Sequence, residues 1–141
     1  MPRVYSSISL TIFLSIFISS CSPSKLSQCQ EIFTIINTVN NEAKPLKNKP
    51  SNDLNNWLEA ADTIQKAAET MKTLAIKDPQ LQEYQENLTT SYSAYAQATR
   101  DAVKAFQNQD REAAQAAKIK VGEAGKLEQE VDQKINTYCR N

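Results

Sequence analysis

Histidine is missing altogether from the 141 residues, and glycine occurs only twice, at Gly122 and Gly125. Without histidine the chain has no imidazole, the commonest general base and the commonest metal ligand. Two isolated glycines leave no glycine-rich loop to cradle a phosphate. Charge of one sign is missing too. Sixteen basic residues face sixteen acidic ones, so there is no electrostatic footprint for nucleic acid and no polybasic lipid-binding tract. The three cysteines do not form Cys-x-x-Cys-His, and two cysteines without a histidine make a poor zinc site. Glu83 with Glu86, and Glu128 with Asp132, are carboxylates at helical spacing. They are read as solvated faces rather than as catalytic or metal-binding pairs. The expectation is a non-enzymatic protein with no catalytic residues, no metal and no cofactor.

The longest apolar run is short as well. Residues 8–18 (ISLTIFLSIFI) number eleven, against the roughly 20 needed to span a bilayer. Arg3 stands ahead of this run, and Ile18-Ser19-Ser20-Cys21 ends it. The charged start, apolar middle and small-residue close are the three parts of a secretory signal. Aliphatic–small–small–Cys resembles the lipobox of bacterial lipoproteins. That resemblance implies a diacylglyceryl group on Cys21, a signal peptide over 1–20, and Cys21 as the mature N-terminus. The alternative is an ordinary secretory signal with Cys21 left as a thiol. Removing 1–20 leaves 121 residues and a net charge of about −1, since only Arg3 is lost. That is enough for one domain with a real core. A lipid-anchored tether is expected over 21–26 and a folded domain over 27–141.

The rest of the chain reads as helix. Leu26, Cys29, Ile32, Phe33, Ile36, Val39 and Ala43 recur at spacings of three and four, which predicts a first helix over 26–43. Ser27-x-x-Gln30 has the form of a capping box at its start. Residues 44–52 (KPLKNKPSN) carry two prolines and three lysines. They read as a solvated linker, with a docking loop as the alternative. A second helix begins near Ser51 or Asp53 and places Leu54, Trp57, Leu58, Ala61, Ile64, Ala68, Met71 and Leu74 on one stripe. Asp78-Pro79 opens a third, with aspartate as cap and proline at the first helical position. It runs to about Gln107 on a stripe from Leu81 through Tyr84, Leu88, Tyr92, Tyr95, Thr99 and Ala102 to Phe106. Asp110 caps a fourth helix, which carries Ala117, Val121, Ala124, Val131, Ile135 and Tyr138. Gly122 and Gly125 lie inside it. They mark a close approach, a bend or neither.

Four amphipathic helices with mostly short connections predict an all-α, up-and-down antiparallel four-helix bundle. Cys29, near the start of the first helix, and Cys139, at the end of the fourth, then share one end. In an exported protein, disulfides persist. A Cys29–Cys139 disulfide is therefore expected. The chain-entropy model gives roughly 4.7 kcal/mol for a loop of that size.

Three short segments resemble small cyanobacterial lipoproteins whose role is not established. They are Ser24-Lys25-x-x-Gln28-Cys29, Leu81-x-x-Tyr84-Gln85 and Tyr138-Cys139. By architecture alone, the chain is also similar to the lipid-anchored extrinsic helix bundles of photosystem II, an analogy of fold and not of site. The function expected is a lipid-anchored accessory or protein-interaction module. It would sit on the periplasmic face of the inner or outer membrane, or in the thylakoid lumen. Its partners would be the membrane, through the lipid on Cys21, and another protein, with no nucleic acid. The alternative is a helix bundle holding a small apolar ligand against Tyr84, Tyr92 and Tyr95.

Overall fold

In the computed structural model, residues 23–43 and 53–140 are described. Residues 1–22, with the expected signal segment and Cys21, and residues 44–52, expected as a linker, lie outside the described residues. What is described is helical, with no strand. Helix α1 spans Lys25–Thr38 and continues into a π-helical turn, Val39–Ala43; α2 spans Leu54–Thr73, α3 Pro79–Gln107 and α4 Arg111–Arg140. The four helices pack on one bundle-like core.

Local chemistry accounts for most boundaries. Asp53 caps α2 by accepting from the Asn55 N–H at 3.1 Å. Asp78 caps α3 by accepting from Gln80 and Leu81, with Pro79 following where its missing N–H costs nothing. Asp110 accepts from the Ala113 N–H at the start of α4. Between α3 and α4, the Gln109 N–H donates to Phe106 and the Asp110 N–H donates to Ala105. This is a Schellman ending. Its left-handed position (φ 55°) is filled by Gln109 rather than glycine.

The first helix departs from expectation at both ends. Its cap is Ser24, whose hydroxyl accepts from the Ser27 N–H, so the capping box at Ser27 and Gln30 does not form. Lys25, expected in the tether, is already helical. The extra turn is held because it gives Lys25 and Gln28 partners across the fold. At the other end the α pattern stops at Thr38, and the π turn carries Val39 and Ala43 into the core.

The core is richest in large side chains near the disulfide. Ile32, Ile64, Met71, Leu81, Leu88, Tyr92, Val131 and Ile135 are fully buried in one cluster with Cys29. Toward the 108–110 turn, burial passes mainly to alanines, Ala98, Ala102, Ala105 and Ala117, with Val103 among them. Phe106, expected on the buried stripe, is 66% exposed. Helix α1 with its π turn spans 19 residues, about 28 Å, while the 29 residues of α3 span about 44 Å. The described part of the first arm therefore ends before the last turn of α3. No described helix is long and apolar enough to cross a membrane.

The glycines are not forced by packing. A Cβ on Gly122 meets nothing within 4 Å, and one on Gly125 meets only the Tyr95 ring at 3.9 Å, an ordinary contact. Neither glycine marks a close helix approach.

Candidate functional site

The three short sequence segments singled out above converge at one end of the molecule. Cys29 of α1 is bonded to Cys139 of α4, with Cα atoms 6.1 Å apart. Cys29 is buried and Cys139 is partly covered. One residue before Cys29, the buried Gln28 bridges α1 to the connection between α2 and α3. Its Oε1 accepts from the backbone N–H groups of Lys77 and Asp78, and its Nε2 donates to the Pro23 carbonyl. A buried amide is tolerated because both its ends are matched.

One residue before Cys139, Tyr138 gathers the rest. Its hydroxyl donates to the Asp78 carboxylate at 2.9 Å. Its carbonyl accepts from Lys25 Nζ at 2.9 Å, and the same ammonium lies 4.4 Å from the ring centroid. Its ring meets Tyr84 edge-on, with centroids 6.0 Å apart. Gln85 then donates to the Met71 and Leu74 carbonyls, covering the open end of α2, while Gln82 donates to the Ile76 carbonyl. Backbone groups that the α2–α3 connection would otherwise leave bare are satisfied by glutamines from α1 and α3.

The electrostatics follow from these contacts. The Leu81 N–H holds the Asp78 carboxyl below its ordinary 3.8, against an opposing push from burial, with help from Tyr138, Gln80 and Lys25. The same Asp78 hydrogen bond holds the Tyr138 phenol above its ordinary value. The cluster is a clasp of matched groups, and every charge in it has a partner. It has no nucleophile–base pair. No group of three metal-ligating residues occurs among the described residues.

The structure does not bring the three tyrosines into one cavity. Tyr84 is in the clasp and edges a shallow surface depression beside Tyr138. Tyr92 is buried in the core, and its hydroxyl has no hydrogen-bond partner among the described residues. Burial, and then the charges of Glu128 and Asp132, push that phenol strongly upward. Tyr95 is half-buried against Gly125 and borders a recess of about 10 Å³ with Trp57, Ala60 and Thr99. Trp57, expected in the core, is half-buried.

Sequence reasoning located Cys29, Cys139 and Asp78 but missed the work of Gln28, Gln82, Gln85 and Lys25. The one legible signal was Gln28, a polar residue beside Cys29 on the apolar face of α1. Comparison with known proteins returned nothing: no family model, no curated protein and no solved structure matches the chain.

Proposed function

We propose that this chain is a lipid-anchored, non-enzymatic interaction protein of the cell envelope or thylakoid lumen, built as an up-and-down antiparallel four-helix bundle. The observation that carries the reading is the position of Ile18-Ser19-Ser20-Cys21 directly before the Ser24 cap of α1. Two residues, Ser22 and Pro23, separate the acceptor cysteine from that cap, so three chain steps give a reach of at most about 11 Å. A lipid on Cys21 therefore holds the disulfide end against the headgroups. The sides of the helices and the 108–110 turn face away from the membrane.

Two contacts support alternating helix directions. Gln28 near the start of α1 meets Asp78 just after α2, and Asp78 at the start of α3 meets Tyr138 at the end of α4. The disulfide is in keeping with an oxidising compartment beyond the cytoplasm. The clasp then has a mechanical role. It ties the anchored helix to α3 and α4, so force on the lipid reaches the whole domain and not one arm. Function falls to the exposed surfaces, where a protein partner is met.

Intact mass spectrometry of the membrane fraction tests the reading. The expected species begins at Cys21, carries a diacylglyceryl group and leaves the membrane only in detergent. Cys21→Ala should accumulate as an uncut precursor. A chain cut elsewhere, with Cys21 as a free thiol, would overturn the anchor.

A further inference from the structure

Helices α1 and α2 do not close against each other along their outer edge. Between them runs an open groove of about 690 Å³. On α2 it extends from Asn55 to Thr70, about 22 Å or four helical turns. Its floor is apolar, with Ile35, Leu58 and Ala67. Its α1 wall carries Thr34 and Thr38, and Thr70 lies at one end on α2. The Thr34, Thr38 and Thr70 hydroxyls donate back to carbonyls of their own helix, so these three need no partner from outside.

The rim is acidic. Glu42, Glu59 and Asp62 face a single cation, Lys66. No cation among the described residues pairs with Glu42 or Glu59. Arg100 reaches Asp62 from α3 but takes only Oδ1, and the Asp62 side chain stays 72% exposed.

We infer that this groove docks a cation-rich amphipathic helix of a protein partner, a surface that rests on the interaction-protein reading and specifies it. Three features select that occupant. The apolar floor takes a narrow stripe of apolar side chains. The carboxylate rim takes flanking lysines or arginines and repels an acidic segment. Both walls are α-helices, which offer no unpaired ladder of backbone groups. An incoming segment must therefore satisfy its own backbone, as a helix laid in a groove does.

Site-specific photo-crosslinking of the full chain in its native cells tests this. A benzophenone amino acid replaces Thr38 or Thr63 in the groove, or Gln129 on exposed α4 as the control. The expected result is a protein adduct from both groove positions and not from Gln129. It should map to a helical segment flanked by lysine or arginine. Glu42→Lys with Glu59→Lys should lower its yield about tenfold, with an unchanged melting curve as the check on folding. An adduct to residues 44–52 of the same chain, to a second copy, to an acidic segment or to a lipid would overturn the proposal. So would a yield that charge reversal leaves unchanged. Protein adducts from Gln129 alone would remove the groove but keep the interaction protein. No protein adduct from any position would remove both.

Discussion

At the disulfide end, Leu81, Met71 and Ile135 are fully buried beside Cys29–Cys139, and four side chains from two helices, α1 and α3, are hydrogen-bonded to backbone outside their own helix. At the 108–110 turn end, α3 and α4 bury mainly alanines, Ala98, Ala102, Ala105 and Ala117, with Val103 the one larger side chain buried among them, while Phe106 and Ile119 are exposed. The contrast shows two ways of stabilising one helical domain. Large side chains and cross-links hold the first end through tertiary contact. Alanine holds the second through helix propensity, since it buries little but costs no side-chain entropy. The first end should unfold as part of the whole, and the second should open locally.

Breaking the disulfide tests that contrast most strongly. Cys29→Ser with Cys139→Ser should cost about 2–5 kcal/mol, read as a fall in the denaturation midpoint. The loss of hydrogen-exchange protection should be greatest in α1 and the last turns of α4. Truncation in the two regions comes next. Leu81→Ala should cost about 2–5 kcal/mol through the cavity it leaves, against about 1–2 kcal/mol for Ala102→Gly through backbone freedom and one lost methyl. Equal costs at the two sites would erase the distinction.

Asp78 gives a smaller effect with a pH signature. Its folded carboxyl is held below the ordinary 3.8, chiefly by the Leu81 N–H. Its contribution is therefore complete above the unfolded value and is lost as pH falls through the folded one. Asp78→Ala should cost about 1–2 kcal/mol at neutral pH through the lost cap. Asp78→Asn keeps a capping oxygen and should flatten the loss of stability below about pH 4. An unchanged acid limb in Asp78→Asn would place the acid sensitivity elsewhere.

The turn end and its helix should be improvable where the clasp is not. Gln109→Gly relieves a left-handed residue and should stabilise by up to about 1 kcal/mol. Gly125→Ala and Gly122→Ala should each add about 1 kcal/mol, because both positions have room for a Cβ. The smallest effect is expected from Phe106→Ser, within about 0.5 kcal/mol. A larger loss in purified protein would mean that Phe106 is covered in solution.

Much of the architecture was legible because it is written in local chemistry. Asp53, Asp78-Pro79 and Asp110 each announce a helix within three residues, and each caps one in the structure. The cysteine pairing followed from helix count and short connections. The misses share a cause. Ser24 and Ser27 are equally good caps by sequence. Ser24 wins because the added turn brings Lys25 to Tyr138 and Gln28 to the α2–α3 connection. Those partners lie 113 and 50 residues away, beyond any local pattern. Phe106 fits the apolar period of α3, but near its end the buried face is that of Ala102, Val103 and Ala105, which Phe106 does not share.

Ile18-Ser19-Ser20-Cys21, the helical periods, the aspartate caps and the even pair of remaining cysteines belong to the sequence by itself. Each depends on residues within a turn or two, or on a simple count. Tertiary structure alone decided that Gln28 is buried and that Gln82 and Gln85 reach the α2–α3 connection, that three tyrosines with one period go to three different environments, and that α1 and α2 leave an acidic groove. Those outcomes depend on the relative lengths and positions of whole helices, which periodicity within one helix does not encode.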